Sequence, residues 1–234
     1  MTAADSDMRD DFDVRFEWGA AGTVALALQA RVMVVVDVLR FTTAVEAAVS
    51  RGAIVYPYRW RDRSAAAFGS SVGAVLADES DPLGPSLSPL SLRRLGAGDA
   101  VVLPSPNGST CAALADEADT AVVASCLRNA SAVAAWLNNS ARPVVVIACG
   151  ERRPDGSLRQ CLEDLLGAAP SSAVFRARAL QRRPRPLVTG RPLVTTMSQQ
   201  SCGSAAPVES CKPRVTGTMS HTRTRSVPAR SCPC

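Results

Sequence analysis

Acidic, basic and hydroxyl side chains follow the ends of several apolar runs in this sequence. The clearest group, Asp37–Thr43, comes directly after the apolar run Val32–Val36 and holds an aspartate, an arginine and two threonines. Similar groups follow later runs at Pro104–Thr110, Ser125–Cys126 and Cys149–Arg152. Carboxylates suit a hard cation, whereas arginine, hydroxyl and backbone N–H groups suit phosphate or sulfonate oxygens. These residue types together indicate a site for a small anionic substrate and a divalent cation.

The segment Asn107–Thr110 is a glycine turn that leads into a predicted helix. Consecutive backbone N–H groups at the positive end of a helix favour phosphate or sulfonate oxygens. A plain turn is the other interpretation of this segment. Asp37 is open to interpretation as a helix cap, although Arg40 one turn later favours a functional role. The charges between residues 151 and 164 also fit a solvated helix face.

The body of the chain lacks the residues that several common catalytic mechanisms require. The single histidine, His221, lies near the C-terminus, so the body of the chain has none for a Ser-His-Asp triad or an HExxH zinc site. The single lysine, Lys212, lies there too, which excludes a Walker-type phosphate loop. No cysteine is followed six residues later by the arginine of a cysteine-based phosphatase loop. Leu39 replaces the second aspartate of a haloacid-dehalogenase-type phosphatase, which argues against that mechanism for Asp37.

Apolar runs and amphipathic stretches alternate up to about residue 168, which predicts alternating strands and helices. The predicted strands are Phe12–Glu17, Val32–Val36, Ala53–Tyr56, Ala100–Leu103, Thr120–Ala124 and Pro143–Ala148, with a short strand near Val75 inside a looped segment, Ser70–Leu95. The predicted helices are Gly22–Gln29, Phe41–Ser50, Ser109–Ala115, Ala130–Leu137 and Leu158–Leu166. This alternation predicts an α/β fold with a mostly parallel sheet, in which ligands bind at the carboxyl ends of the strands.

Composition divides the chain into a body, 1–168, and a tail, 169–234. The formal net charge of the 234 residues is +5. Up to Pro170, 15 arginines face 20 acidic residues, whereas beyond it 10 arginines and Lys212 face only Glu209. The tail is rich in Pro, Ser and Arg and lacks a sustained apolar run, so we expect it to be disordered. A nucleic-acid-binding tail is the weaker alternative, because Phe175 is its only aromatic residue.

The aspartate-rich start and the lack of a long apolar run predict a cytoplasmic protein with no membrane partner. No CxxC pair occurs among the 8 cysteines, so we interpret those of the body as buried free thiols. A nucleic-acid partner is not expected either. The sequence is compatible with a homo-oligomer and does not define one.

Several motifs, in order along the chain, resemble the 2-phosphosulfolactate phosphatase family. They are Val34–Ala44, Pro106–Thr110, Gly150–Arg152, Pro154–Arg159 and Leu162–Ala168. The resemblance covers about 12–168. It implies a magnesium-dependent phosphatase that hydrolyses 2-phospho-3-sulfolactate to sulfolactate and phosphate, a step in coenzyme M biosynthesis, on a three-layer α/β/α fold with a mixed, mostly parallel sheet.

Together with the loops described above, the resemblance implies site residues of three kinds. The implied catalytic residues are Asp37, Arg40, Asn107 and Glu151. The implied substrate-binding residues are Arg40, Thr42, Thr43, Asn107, Gly108, Ser109, Thr110 and Arg152. The implied magnesium ligands are Asp37, Glu151, Glu163 and Asp164. Asp78-Glu79 stands where many members have Gly-Glu, so a related small phosphorylated acid is an alternative substrate.

The resemblance stops at about Ala168, where the family continues with further helices and a strand. The 25 arginines against one lysine indicate a GC-rich gene, which yields Arg, Pro, Ser, Ala and Thr when it is read out of frame. Our hypothesis for the tail is therefore a frameshift near codon 168 that leaves the domain incomplete. The alternative function is a non-catalytic small-anion-binding domain, inactive because the C-terminal segment is missing.

Overall fold

A computed structural model describes residues 14–140 and 143–169, together with the backbone of residues 196–197. The strands are β1 (Val14–Trp18), β2 (Val32–Val36), β3 (Ile54–Tyr58), β4 (Val75–Leu76), β5 (Ala100–Pro104), β6 (Ala121–Ser125), β7 (Val144–Ala148), β8 (Glu151–Arg152), β9 (Leu158–Arg159) and β10 (Thr196–Met197). The helices are α1 (Gly19–Leu26), α2 (Phe41–Val49), α3 (Arg63–Val72), α4 (Pro89–Leu92), α5 (Gly108–Asp116), α6 (Ala130–Leu137) and α7 (162–169), with a 3₁₀ turn at Ala27–Gln29.

The first sheet has the strand order β1-β7-β2-β6-β10, and its first four strands are parallel. The antiparallel pairing of β10 with β6 makes the sheet mixed. At the carboxyl end of β2, Val36 pairs with Ala148 on one side and Ser125 on the other. The residues that come next, Asp37 and Cys149, therefore emerge from adjacent strands at one edge of the sheet.

The strands β3, β5 and β4 form a second, wholly parallel sheet in that order. Its central strand, β5, ends at Pro104 opposite Tyr58. The chain then reaches Asn107 and enters α5. The two sheets thus deliver the loops after β2 and β5 to a common region, which is the arrangement that a site at strand ends requires.

Two apolar cores lie on opposite faces of the first sheet. On β2, Met33 and Val35 belong to one core, whereas the alternate residues Val32, Val34 and Val36 belong to the other. The first core also contains apolar residues of α2, α5 and the second sheet, and the other contains residues of α6 and α7. The β-branched run of β2 is buried on both faces because helices cover both.

The predicted α/β class with mostly parallel strands is confirmed, and β2 and α6 have the predicted bounds. Helix α3 was not predicted, because Arg63–Val72 is poor in large apolar residues. It begins where the Asp62 side chain accepts the N–H of Ser64 at 2.9 Å and ends at Gly73, which has φ of 67°.

The predicted helix Leu158–Leu166 was wrong in its first turn, because Leu158–Arg159 is a strand that pairs with Glu151–Arg152. The turn between them contains Asp155, whose side chain accepts the N–H of Ser157 at 2.9 Å. Gly156 has φ of 82°. Pro-Asp-Gly is a turn signal of this kind, so the hairpin was accessible to prediction.

Apart from residue 169, which ends α7, and β10, the predicted tail lies outside the described residues, as does the start of the predicted first strand. Among the described residues, no helix is long and apolar enough to cross a membrane.

Candidate active site

The centre of the site is Asp37, which is only 6% exposed. One carboxylate oxygen, Oδ1, accepts the backbone N–H of Phe41 at 3.1 Å. The other, Oδ2, accepts the N–H of Gly108 at 3.0 Å. Phe41 and Gly108 are the first residues of α2 and α5. The carboxylate therefore sits at two helix N-termini, where partial positive charge favours an anion.

Gly108 is at a position where a side chain has no room. A Cβ atom there would lie 2.2 Å from Cδ1 of Phe41 and 2.7 Å from Oδ2 of Asp37. The absence of a side chain thus allows the start of α5 to approach both the start of α2 and the carboxylate. This close approach is the physical reason for glycine in the Asn107-Gly108 turn.

The hydroxyl groups beside Asp37 bond mainly to the backbone. Thr42 Oγ1 donates to the Asp37 carbonyl at 2.7 Å and accepts the Asp37 N–H at 3.1 Å. Thr43 Oγ1 donates to the Val38 carbonyl at 2.7 Å, and Ser109 Oγ donates to the Leu103 carbonyl at 3.0 Å. Thr42 and Ser109 are also fully buried. The hydroxyl groups of Thr42, Thr43 and Ser109, which were predicted to bind the substrate, therefore hold the loops of the site in place.

Asp164, in α7, joins the loops that follow β2 and β7. Its Oδ1 accepts the N–H of Val38 and its Oδ2 accepts the N–H of Gly150, both at 2.8 Å. The helix can approach this closely because Gly167 lacks a side chain, since a Cβ there would lie 2.5 Å from Cγ2 of Val38. Asp164 and Asp37 thus both accept backbone N–H groups of loops at the same edge of the first sheet.

Burial raises the pKa of Asp37 from its usual value of 3.8 to about 6, and the negative charge of Asp164 adds to the increase. The N–H groups of Phe41 and Gly108 act in the opposite direction, because they stabilise the carboxylate. Burial also raises the pKa of Asp164. Among the described residues, no arginine forms an ion pair with Asp37, so its charge is left without a cationic partner.

A cavity of about 310 Å³ lies beside this centre. It is lined by residues of α1, of the loop into α5 and of the β8–β9 hairpin, among them Asn107, Thr110 and Arg152. Gly108, which binds Asp37, lies between two of these lining residues in sequence. Arg152 supplies the only charged side chain among the described residues that line the cavity. The cavity is therefore suited to a small anion.

Arg40 also follows β2; its backbone N–H interacts with Asp37, and its side chain pairs with Glu79 at 3.5 Å. Both side chains are 46% exposed, so this ion pair is weak and can be exchanged for another partner. Glu79 also lines a second cavity of about 260 Å³, together with Arg61, Asp62 and Asp78. The Asp78-Glu79 segment that departs from the family pattern is thus brought next to Arg40.

The predicted magnesium ligands are only partly brought together. Asp37 and Asp164 are close enough for the charge of one to raise the pKa of the other. Glu151 is exposed and accepts the Nε–H of Arg159 at 2.8 Å across the hairpin. Glu163 is half-buried beside Asp164. Within the described part of the chain, no three acidic, histidine or cysteine side chains form a group that could hold a metal ion.

Sequence reasoning missed two features of the site. Cys111 and Cys149, interpreted as buried thiols, are free and buried as predicted, but both also line the 310 Å³ cavity. Gly150, with φ of 62°, supplies the N–H that binds Asp164. A glycine two residues after a buried strand was the available signal for Gly150. No signal in the sequence pairs the two cysteines.

Comparison with protein-family models matches residues 23–177 to 2-phosphosulpholactate phosphatase. The matched segment contains every predicted site residue and extends nine residues beyond the predicted body, 1–168. No curated protein matches the chain significantly.

Proposed function

Because the chain belongs to the 2-phosphosulpholactate phosphatase family, we propose that it hydrolyses 2-phospho-3-sulfolactate, or a related small phosphorylated acid, to the free hydroxy acid and phosphate. The members of this family are phosphoric monoester hydrolases, and membership therefore supports a phosphatase activity for the chain. The observation that carries the proposal is the buried carboxylate of Asp37 at two helix N-termini, beside a cavity whose charged side chain is Arg152. We also assign the reaction to coenzyme M biosynthesis in the cytoplasm.

The phosphoryl group is proposed to bind at the start of α5. Ser109 and Thr110 follow Gly108 in the first helical turn, where backbone N–H groups have no partner within the helix. Asp37 fixes this turn through Gly108, so the N–H donors do not have to be ordered when the substrate arrives. The partial positive charge of the helix end stabilises the charge on the phosphoryl oxygens as the bond to the ester oxygen breaks.

The acid end of the substrate is proposed to bind Arg152. Its guanidinium group forms two parallel hydrogen bonds to a carboxylate or sulfonate and is in the wall of the cavity that contains Asn107 and Thr110. Arg40 is a second anion ligand, because its exposed ion pair with Glu79 can be replaced by a substrate oxygen. Two arginines and one helix end match the several negative charges of a phosphorylated sulfonic acid.

Asp37 is the residue that would hold a magnesium ion, together with oxygens of the substrate. The Asp37 carboxylate has about four lone-pair sites and interacts with the N–H groups of Phe41, Gly108 and Arg40, and Mg²⁺ is often held by one or two carboxylates together with phosphate oxygens and waters. A bound magnesium ion would offset the charge of the phosphoryl oxygens. Burial raises the pKa of Asp37 to about 6, and a bound cation would favour its ionised form. We assign Asp164 a positioning role, because it holds the loops that contain Val38 and Gly150.

The experiment is phosphate release from 2-phospho-3-sulfolactate by the full chain, measured with magnesium chloride and again with EDTA. We expect release that depends on magnesium and saturates with substrate. A panel of other small phosphorylated acids, assayed in parallel, identifies the preferred substrate. Tight binding of these acids with no release from any of them would overturn the proposal in favour of a non-catalytic anion-binding domain.

A further inference from the structure

Arg40 connects the centre of the site with the second cavity, which has a volume of about 260 Å³. On the backbone, Arg40 directly precedes Phe41, whose N–H binds the carboxylate of Asp37 at 3.1 Å. Its side chain reaches Glu79, which lines the second cavity, and Nη2 donates to Oε1 of Glu79 at 3.5 Å. The partner of this guanidinium group therefore decides whether Arg40 is available to an anion at the centre.

The turn that follows β4 presents Glu79 to Arg40. The residue before Glu79, Asp78, accepts both the N–H and the hydroxyl group of Ser80 on Oδ1, each at 2.8 Å. The N–H of Asp78 donates to the Pro85 carbonyl, also at 2.8 Å. An aspartate side chain that bonds two residues ahead is a common way to fix a turn. The aspartate at position 78 is thus a positioning residue for Glu79.

The ion pair between Arg40 and Glu79 is weak, because both side chains are 46% exposed and 3.5 Å separates their polar atoms. It nevertheless offsets the guanidinium charge and occupies one N–H donor. A phosphoryl, sulfonate or carboxylate group accepts two parallel hydrogen bonds from an arginine, which is enough to replace this contact. A neutral hydroxyl group accepts weaker hydrogen bonds and leaves the ion pair in place.

We propose that Glu79 is a specificity-determining residue, which competes with anionic ligands for Arg40. In the free protein, Glu79 holds the guanidinium group. A ligand that brings a phosphoryl, sulfonate or carboxylate group displaces Glu79, whereas a ligand with only neutral groups at this place does not. The released carboxylate is left to water and to Arg61, the only basic side chain among the described residues that line the second cavity.

The consequence for the substrate rests on the proposed function. A phosphorylated acid offers its phosphoryl group to the start of α5 and has a second anionic group with which to displace Glu79. A phosphorylated alcohol has no second anionic group, so it binds without the contact to Arg40. Glu79 thus favours phosphorylated acids. Removal of its charge makes Arg40 available to the phosphoryl group of either class.

The test is the binding of inorganic phosphate to the full chain in EDTA at low ionic strength, measured by isothermal titration calorimetry. Glu79→Gln removes the competing charge and keeps a side chain of similar size. Its Kd for phosphate is expected to fall by about two- to fivefold, which is the scale of an exposed ion pair. This gain should shrink when sodium chloride is added. In the background of Arg40→Ala, the same substitution should leave Kd unchanged.

Glu117→Gln is the matched control, because Glu117 is the exposed partner of Arg59 and neither residue lines either cavity. We expect this variant to bind phosphate as the wild type does. An unchanged Kd for Glu79→Gln, or a gain that persists without the Arg40 side chain, would overturn the proposal. Circular dichroism confirms that the variants compared are folded.

The binding measurements need no turnover, so their result stands if the proposed phosphatase activity fails. For the specificity itself, the readout is the ratio of kcat/KM for 2-phospho-3-sulfolactate to that for glycerol 2-phosphate, a phosphorylated alcohol. We expect this ratio to fall by about twofold or more in Glu79→Gln. An unchanged ratio, together with tighter phosphate binding, would refute the role of Glu79 in substrate choice.

Discussion

The Oδ2 oxygen of Asp37 accepts the N–H of Gly108 at 3.0 Å, across 71 residues of sequence. This hydrogen bond connects the loop after β2, in the first sheet, with the loop after β5, in the second. It places the first turn of α5 beside a buried carboxylate and next to the cavity that contains Arg152. The candidate site depends on this junction more than on any single loop.

Gly108→Ala is expected to destabilise the protein and abolish activity. The added methyl group would lie 2.2 Å from Cδ1 of Phe41, so the start of α5 must move away from Asp37. Overpacking of this kind costs about 1–3 kcal/mol of the free energy of unfolding. Urea denaturation measures it, with Gly96→Ala as the control, because a Cβ at Gly96 meets only Asp99 Oδ2, at 3.9 Å. Equal stability of the two variants would contradict the tight junction.

Thr42→Val is expected to lower stability by about 1–3 kcal/mol, because it leaves buried backbone groups of Asp37 without their hydroxyl partner. Thr110→Val changes a half-buried hydroxyl in the cavity and should leave the denaturation midpoint nearly unchanged while it raises KM. Thermal denaturation and steady-state kinetics separate the two effects. A stable Thr42→Val protein with only a raised KM would instead show that Thr42 binds the substrate.

The pH dependence of stability is expected to report the raised pKa of Asp37. Its folded-state value of about 6 lies above its usual 3.8, so the folded protein binds this proton more tightly than the unfolded chain does. The resulting stabilisation is complete below about pH 3.8 and is lost as the pH rises through about 6. In EDTA, the stability of wild type relative to Asp37→Asn should therefore fall by roughly 1–3 kcal/mol between these limits. A rise over the same range would show that the pKa of Asp37 is lowered.

Arg152→Ala is expected to raise KM by about tenfold or more, since an arginine–carboxylate pair contributes on the order of 1.4 kcal/mol or more to binding. Stability should change little, because Arg152 is exposed. Arg93→Ala is a control, because Arg93 is an exposed arginine that does not line the cavity. Equal KM values for the two variants would remove Arg152 from the proposed site.

The parts of the fold that the sequence predicted are those with strong local patterns. The β-branched run of β2 and the alanine-rich α6 have the bounds that their patterns indicate. Helix α3 depends on the Asp62 cap and the Gly73 end, and its apolar content is too low to reveal it. The β8–β9 hairpin depends on a turn that was interpreted as the start of a helix.

The sequence predicts where the site lies, but it does not predict the hydrogen bonds that hold the site together. Asp37 and Asn107 both follow strands, and the topology of parallel strands is enough to bring such residues together. The bond from Val38 N–H to Asp164 joins residues 126 apart in sequence, and it depends on close packing of α7 on Val38, where Gly167 leaves no room for a side chain. The burial of Thr42 likewise follows from how α2 packs, which composition does not encode.

The most direct test of the central role of Asp37 is phosphate release from 2-phospho-3-sulfolactate by Asp37→Asn, measured beside Asp119→Asn. Asp119 is an exposed turn residue with φ of 56°, a conformation that asparagine also tolerates, so this control makes the same chemical change outside the site. We predict that kcat/KM falls by at least about a hundredfold for Asp37→Asn and stays at the wild-type value for Asp119→Asn. Undiminished release by folded Asp37→Asn protein would contradict the account.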